Sequence, residues 1–197
     1  MFASELWGVW PDILVVAKGM SGGYTGLSAV ILKDRFAQTF WGEPEDNVQF
    51  YSGHTYGGNP VACAIGIATI EQMLDGQIAA NARDRGEQAR ARLRGLQSRL
   101  PAIGDVRGVG LLVGLEFVQD PSTRARFPAE LNVGIKIRNE ARKRGLLVRA
   151  SHWMAVLAPP LTTTAGEMDD ILDRFEGALI DVLEPIGPRP ETAGVLR

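Results

Sequence analysis

An apolar run, Ile13-Leu14-Val15-Val16-Ala17, ends at Lys18 and passes at once into the glycine-rich stretch Gly19-Met20-Ser21-Gly22-Gly23. Five consecutive apolar residues stopped by glycine predict a short buried strand, and the glycines predict a turn that backbone or a small molecule can approach closely. One lysine is thereby delivered from the end of a strand into a flexible turn. A lysine amine is protonated and non-nucleophilic at its ordinary pKa of about 10.4. Beside apolar walls it gives up its proton more readily and can condense with an aldehyde. A lone lysine at a strand end is most often a surface charge, so its surroundings decide.

Those surroundings are Pro11-Asp12-Ile13 before it, Ala17-Lys18-Gly19 around it, and Ser52-Gly53-His54-Thr55-Tyr56-Gly57-Gly58-Asn59-Pro60 downstream, running into Val61-Ala62-Cys63-Ala64. Together they resemble the class III aminotransferases, pyridoxal-phosphate (PLP) enzymes of fold type I, from Met1 to about Pro185. The resemblance implies an α/β fold in which residues 1–75 are the C-terminal part of the large PLP-binding domain. Residues 76–185 are then the small α+β C-terminal domain, and 186–197 a loose tail. It also implies that Lys18 is the Schiff-base lysine and that the Thr55 hydroxyl reaches the cofactor phosphate of the neighbouring subunit in a homodimer. The backbone N–H of His54 is a better phosphate ligand there than its ring. Where the family often has Pro-Leu-Gly, this chain has Gly26-Leu27-Ser28.

In the family, a segment like Met1 to Asp12 lies deep inside the protein, after an Asp-Glu-Val and Gly-Arg-Thr-Gly region. The chain is therefore expected to be an N-terminally truncated piece, inactive by itself. PLP acts as an electron sink only while a carboxylate keeps its ring nitrogen protonated. In the family that aspartate, the aromatic residue stacked on the ring and the glycine-rich helix start that holds the phosphate all lie upstream, and none can be assigned here.

Composition narrows the remaining classes. At 197 residues and 45% hydrophobic, the chain can bury a core, with roughly 70% of its unfolded surface removed. A net charge of -2 and a pI near 5.7 lack the basic stripe of a nucleic-acid binder. One cysteine excludes an internal disulfide. No apolar stretch approaches the ~20 residues of a membrane span, and no basic segment precedes an apolar one at the N-terminus. The expected setting is cytoplasmic, with no nucleic acid, membrane or metal involved.

Further along, Ser28–Leu32 reads as a second buried strand. Asn59 and Pro60 open a helix apolar nearly all round through Leu74, so it should be buried, with Cys63 an inert core residue. From about Gln77 a charged helix carries Arg83, Arg85, Glu87, Arg90, Arg92 and Arg94 on what reads as a solvated face. Val106 to Phe117 reads as a strand pair or a bent strand. Its Gly108, Gly110 and Gly114 mimic a dinucleotide loop but no helix opens there, which rejects that reading. Leu131 to Arg144 reads as a helix stopped by Gly145, followed by strands at Leu146–Ala150 and Met154–Leu157. Thr164 with Glu167 forms a capping box for a last helix carrying Met168, Ile171, Leu172, Phe175, Leu179 and Val182.

Arg149 is the second residue with a chemical reading, since a guanidinium at a strand end can hold a carboxylate through two parallel hydrogen bonds. The segment from Gly145 to Leu161, with Ala158-Pro159-Pro160-Leu161, resembles the stretch where many class III enzymes, omega-transaminases included, carry their carboxylate-binding arginine. His152 reads as a solvent-facing turn residue. The resemblance implies transfer of an amino group between an amine or amino-acid donor and a keto acid such as pyruvate. An aminomutase, racemase or decarboxylase on the same scaffold, or a non-catalytic remnant, stays open.

Overall fold

The apolar run at Ile13–Ala17 is a strand, but not a buried one. The computed structural model describes residues 1–188, in two units, Met1–Gln77 and Ile78 onward. In the first, a short helix α1 (Ala3–Leu6) precedes β1 (Ile13–Ala17), which pairs antiparallel with β2 (Ser28–Leu32) in a register running from Ile13↔Leu32 to Ala17↔Ser28. A one-turn helix α2 (Asp34–Ala37) and the longer α3 (Pro60–Asp75) follow. Among the described residues of this unit, the only buried hydrophobic side chains are Val16 and Ala62, while Val15 is 70% exposed and Val30 60%. A two-stranded ribbon has two faces and covers neither by itself.

The same correction applies to α3. It starts as the sequence predicts, with Asn59 Oδ1 accepting from the Ala62 N–H at 3.0 Å and Pro60 in the first turn. Yet only Ala62 and Gly66 are buried along it, and Ile67 and Leu74 are exposed. Cys63, expected in the core, is exposed. The all-round apolar sequence has more surface than this unit supplies partners for.

The second unit contains α4 (Ile78–Gln97), the hairpin β3 (Ile103–Val109) and β4 (Leu112–Phe117), α5 (Val133–Lys143), the hairpin β5 (Arg149–Ser151) and β6 (Met154–Leu157), and α6 (Ala165–Leu183). The four strands form one antiparallel sheet in the order β3-β4-β6-β5. Alternate strand residues, including Val106, Leu115 and Ala155, share one core with Leu93, Ile137 and Phe175 from the helices, as the two-residue period of a strand requires. No helix among the described residues is long and apolar enough to cross a membrane.

Local chemistry sets the boundaries. The Thr164 hydroxyl accepts from the Glu167 N–H, and the Glu167 carboxylate accepts from the Thr164 N–H at 2.7 Å, completing the capping box of α6. Gly145 has φ 76 and its N–H bonds the Arg142 carbonyl at 3.0 Å, stopping α5. The Leu146 N–H is also spent on α5, donating to the Ala141 carbonyl at 2.9 Å, so the strand expected from Leu146 begins only at Arg149. Leu131 lies in a separate 3-10 turn, Ala129–Leu131, and Asn132 with φ 48 breaks the backbone before α5. Gly110, with φ 52, sits in the turn between β3 and β4, so the three glycines of the rejected nucleotide loop belong to a hairpin.

The charged face of α4 is not simply solvated. Arg90 is buried, donating to the Gly110 carbonyl at 3.1 Å and to Glu87 at 2.9 Å. Arg92 is held by Glu176 at 2.8 Å and by Asp173 of α6. These arginines fasten α4 to the hairpin and to α6, which sequence spacing alone does not reveal. The tail expected to be loose, 186–197, falls outside the described residues from 189 onward. Its first part is tied down, because the Ile186 and Gly187 N–H groups bond the Leu183 carbonyl at 3.3 and 2.7 Å.

Candidate active site

Lys18 follows the extended Ala17 and opens a 3-10 turn, Lys18–Ser21. Its φ is 55, a left-handed conformation that costs a residue with a side chain about 1–2 kcal/mol. Such outliers persist only where their surroundings over-determine them, and they gather at functional sites. Here the loop is fixed behind the lysine. Ser21 is 1% exposed and its hydroxyl donates to the Thr25 carbonyl at 2.5 Å. Leu27 presses against α3 so closely that a Cβ on Gly66 would lie 2.5 Å from Leu27 Cδ2. A side chain at Gly19 would meet nothing within 4 Å, so the space beside the lysine is open. The apolar walls expected around Lys18 are not found within this unit: Lys18 is exposed, because its neighbours Ala17 and Gly19 are small and themselves exposed.

His54 and Thr55 lie in the exposed turn that leads to the Asn59 cap of α3. The Gly57 N–H bonds the His54 carbonyl at 3.1 Å, the Asn59 N–H bonds the Tyr56 carbonyl at 3.3 Å, and Gly58 supplies a φ of 69. Among the described residues no hydrogen bond joins Lys18 to His54 or Thr55.

Arg149 begins β5, at the edge of the second unit's sheet, opposite Val156. Its side chain is exposed and has no carboxylate partner among the described residues, whereas Arg144, five residues earlier, is held by Glu140 and Asp181. Because paired residues point the same way, Arg149 shares the outer sheet face with Val156, Gly114 and Arg107, which stand in one cross-strand row. The next row is Asp105, Glu116, Met154 and Ser151. Arg107 donates to Asp105 and to Glu116, both at 2.6 Å. The bond from Arg107 holds the Glu116 carboxyl below the usual glutamate range against a smaller opposing cost of burial. Arg126 stacks over Trp153 at 4.9 Å, and both line a hollow of about 260 Å³ with Glu116 and Ser151. The sequence reading missed this charged cluster. The signal available was Asp105 and Arg107 two apart on a strand, hence on one face. His152 is exposed, its ring tilted against Trp153 at 5.6 Å. Among the described residues, no group of three or more His, Cys, Asp or Glu could hold a metal ion.

The sequence profile of the family Aminotransferase class-III matches residues 1–179. The chain belongs to the class III aminotransferases. Its fold is the fold type I architecture of that family. The adenosylmethionine-8-amino-7-oxononanoate aminotransferase of Nitratidesulfovibrio vulgaris is 38% identical over 93% of this chain and 34% of its own length. A thermostable (S)-enantioselective omega-transaminase from Thermomicrobium roseum, solved by crystallography, is 36% identical with a TM-score of 0.83, over 91% of this chain and 39% of its own. An amine transaminase from an uncultivated Pseudomonas species, crystallised in its PLP-bound form, is 34% identical with a TM-score of 0.81, over 93% and 40%. This class III chain thus spans between a third and two fifths of the length of these three relatives.

Proposed function

We propose that this chain carries the lysine and the acid-recognising arginine of a PLP-dependent transaminase that moves an amino group between an amine or amino-acid donor and a keto acid such as pyruvate. The observation that carries the reading is Lys18, held left-handed at a strand end by a loop pinned through Ser21 and Leu27, with open space at Gly19. The residues fit PLP. An amine has room beside it, and the exposed turn at His54 and Thr55 offers a hydroxyl and a backbone N–H to a phosphate.

When bound, PLP supplies an electron sink that acidifies the amine-bearing carbon of the donor. Lys18 Nζ would hold the cofactor, and its amine would serve as the base at that carbon. Thr55 Oγ1 and the His54 N–H would bind the phosphate, across the interface if the full-length protein is a homodimer. Arg149, free of any carboxylate partner among the described residues, orients acid substrates through a forked pair of hydrogen bonds. In this reading residues 1–75 belong to the large domain, 76–185 form the small one, and the setting is cytoplasmic.

The test uses a polypeptide of full family length that carries this chain. Borohydride reduction of the PLP-loaded protein, followed by peptide mass analysis, is expected to mark Lys18; a mark on Lys33, Lys136 or Lys143 instead would overturn the assignment. Incubation with an amine donor and pyruvate is expected to yield alanine. A racemised, rearranged or decarboxylated donor without alanine would point to another PLP reaction.

A further inference from the structure

Gly114 sits in the interior of β4, between β3 and β6, where a glycine weakens a strand and calls for a reason. The usual reasons are absent. Its φ is not among the positive values of this chain, and the nearest atom to a Cβ built there is the Arg107 carbonyl oxygen at 4.0 Å. Neither backbone conformation nor packing within the described residues requires glycine. A glycine bare on a strand face then marks a place where something from outside approaches closely.

The charges beside it indicate what approaches. Asp105 and Glu116 are matched by Arg107 at 2.6 Å and by Arg126, whose charge also acts on Glu116. Arg124 lines the same hollow as Glu116 and Arg126, away from the row in which Gly114 stands. Arg149 stands in the same row as Gly114, two strand spacings away, roughly 9–10 Å, with only Val156 between them. Of the two cations in this row, Arg107 is held by carboxylates and Arg149 has none among the described residues, and the unfilled space in the row lies over Gly114.

We propose that Gly114 is a specificity-determining position: its missing side chain leaves the clearance in which the carboxylate end of an acid substrate lies over the sheet while Arg149 holds it. This rests on the carboxylate-binding role proposed above for Arg149. Side chains at position 114 should therefore penalise acids in proportion to their size and leave substrates without a carboxylate nearly untouched.

The experiment compares Gly114→Ala, Gly114→Val and Arg149→Ala in the active, full-length enzyme. Because a Cβ at 114 meets open space and valine favours strands, Gly114→Val is expected to keep or raise the Tm. It should raise the KM for pyruvate at least about tenfold, the scale of a mis-filled pocket, with Gly114→Ala intermediate. The half-reaction of a carboxylate-free amine should change by less than about twofold on the same scale. Equal losses for acids and amines, no change in KM, or a lowered Tm would each overturn the proposal. Arg149→Ala separates the two readings. If it impairs acids selectively while Gly114→Val does not, only the clearance at Gly114 fails; if Arg149→Ala shows no preference for acids, the role of Arg149 fails and the inference with it.

Discussion

Two lysines fifteen positions apart flank the β1–β2 ribbon, and their surroundings separate their roles. Lys33 Nζ is engaged by Asp12 at 2.7 Å, a contact that also holds the Asp12 carboxyl below its usual range. Lys18 has no such partner among the described residues and stands in a left-handed turn. Thr55 is likewise exposed, in a turn whose backbone bonds are made by its neighbours. If Thr55 binds the cofactor phosphate, Thr55→Ala removes one hydrogen bond to a charged acceptor, worth about 1.5–3 kcal/mol. In the full-length enzyme, titration with PLP should then show a dissociation constant raised roughly tenfold or more, with turnover at saturating PLP affected less. An unchanged constant would reject the assignment. Lys18, Thr55 and Arg149 stand out as candidates in short motifs, because each proposed role needs a particular functional group beside particular glycines or strand ends. Their exposure was not, since it depends on chain that is distant in sequence.

Among the elements, the joint between α4 and the β3–β4 hairpin depends on one glycine. A Cβ on Gly86 would fall 1.9 Å from the Gly110 carbonyl oxygen, the acceptor that also receives the buried Arg90 guanidinium at 3.1 Å. Backbone cannot yield as a side-chain tip can, so Gly86→Ala must push α4 off the hairpin and break that bond. Overpacking of this kind costs about 1–3 kcal/mol, and the strained Arg90 contact adds to it. Denaturant unfolding of the protein should show the loss as a lower midpoint; an unchanged midpoint would mean the two backbones are not in close approach. The capping box of α6 was visible in sequence because it is a contact three residues long. The Gly86–Gly110 approach was not, because it joins residues 24 positions apart and glycine leaves no pattern on a charged helix.

The molecule as a whole is unevenly built. The second unit has a closed core in which Leu115, Phe117, Phe175 and Leu179 are fully buried. The first buries little and leaves Trp10 at 78%, Trp41 at 79% and Tyr51 at 93% exposure. Regions with few buried apolar contacts open at low free energy. Limited proteolysis of the 197-residue chain should therefore cut between Trp41 and Gly58 well before it cuts the second unit, leaving a resistant fragment that begins near Ile78. Simultaneous loss of both units would show that they unfold as one. The sequence by itself determined the family, the order of the helices and strands in the second unit, and the caps and stops at Asn59, Gly145 and Thr164, because all of these follow from local patterns. Tertiary structure alone decided that Arg90 is buried, that Cys63 and the β1–β2 ribbon are exposed, and that Gly114 and Arg149 share one open face. Burial and register are relations between distant segments, and no window of sequence contains both partners.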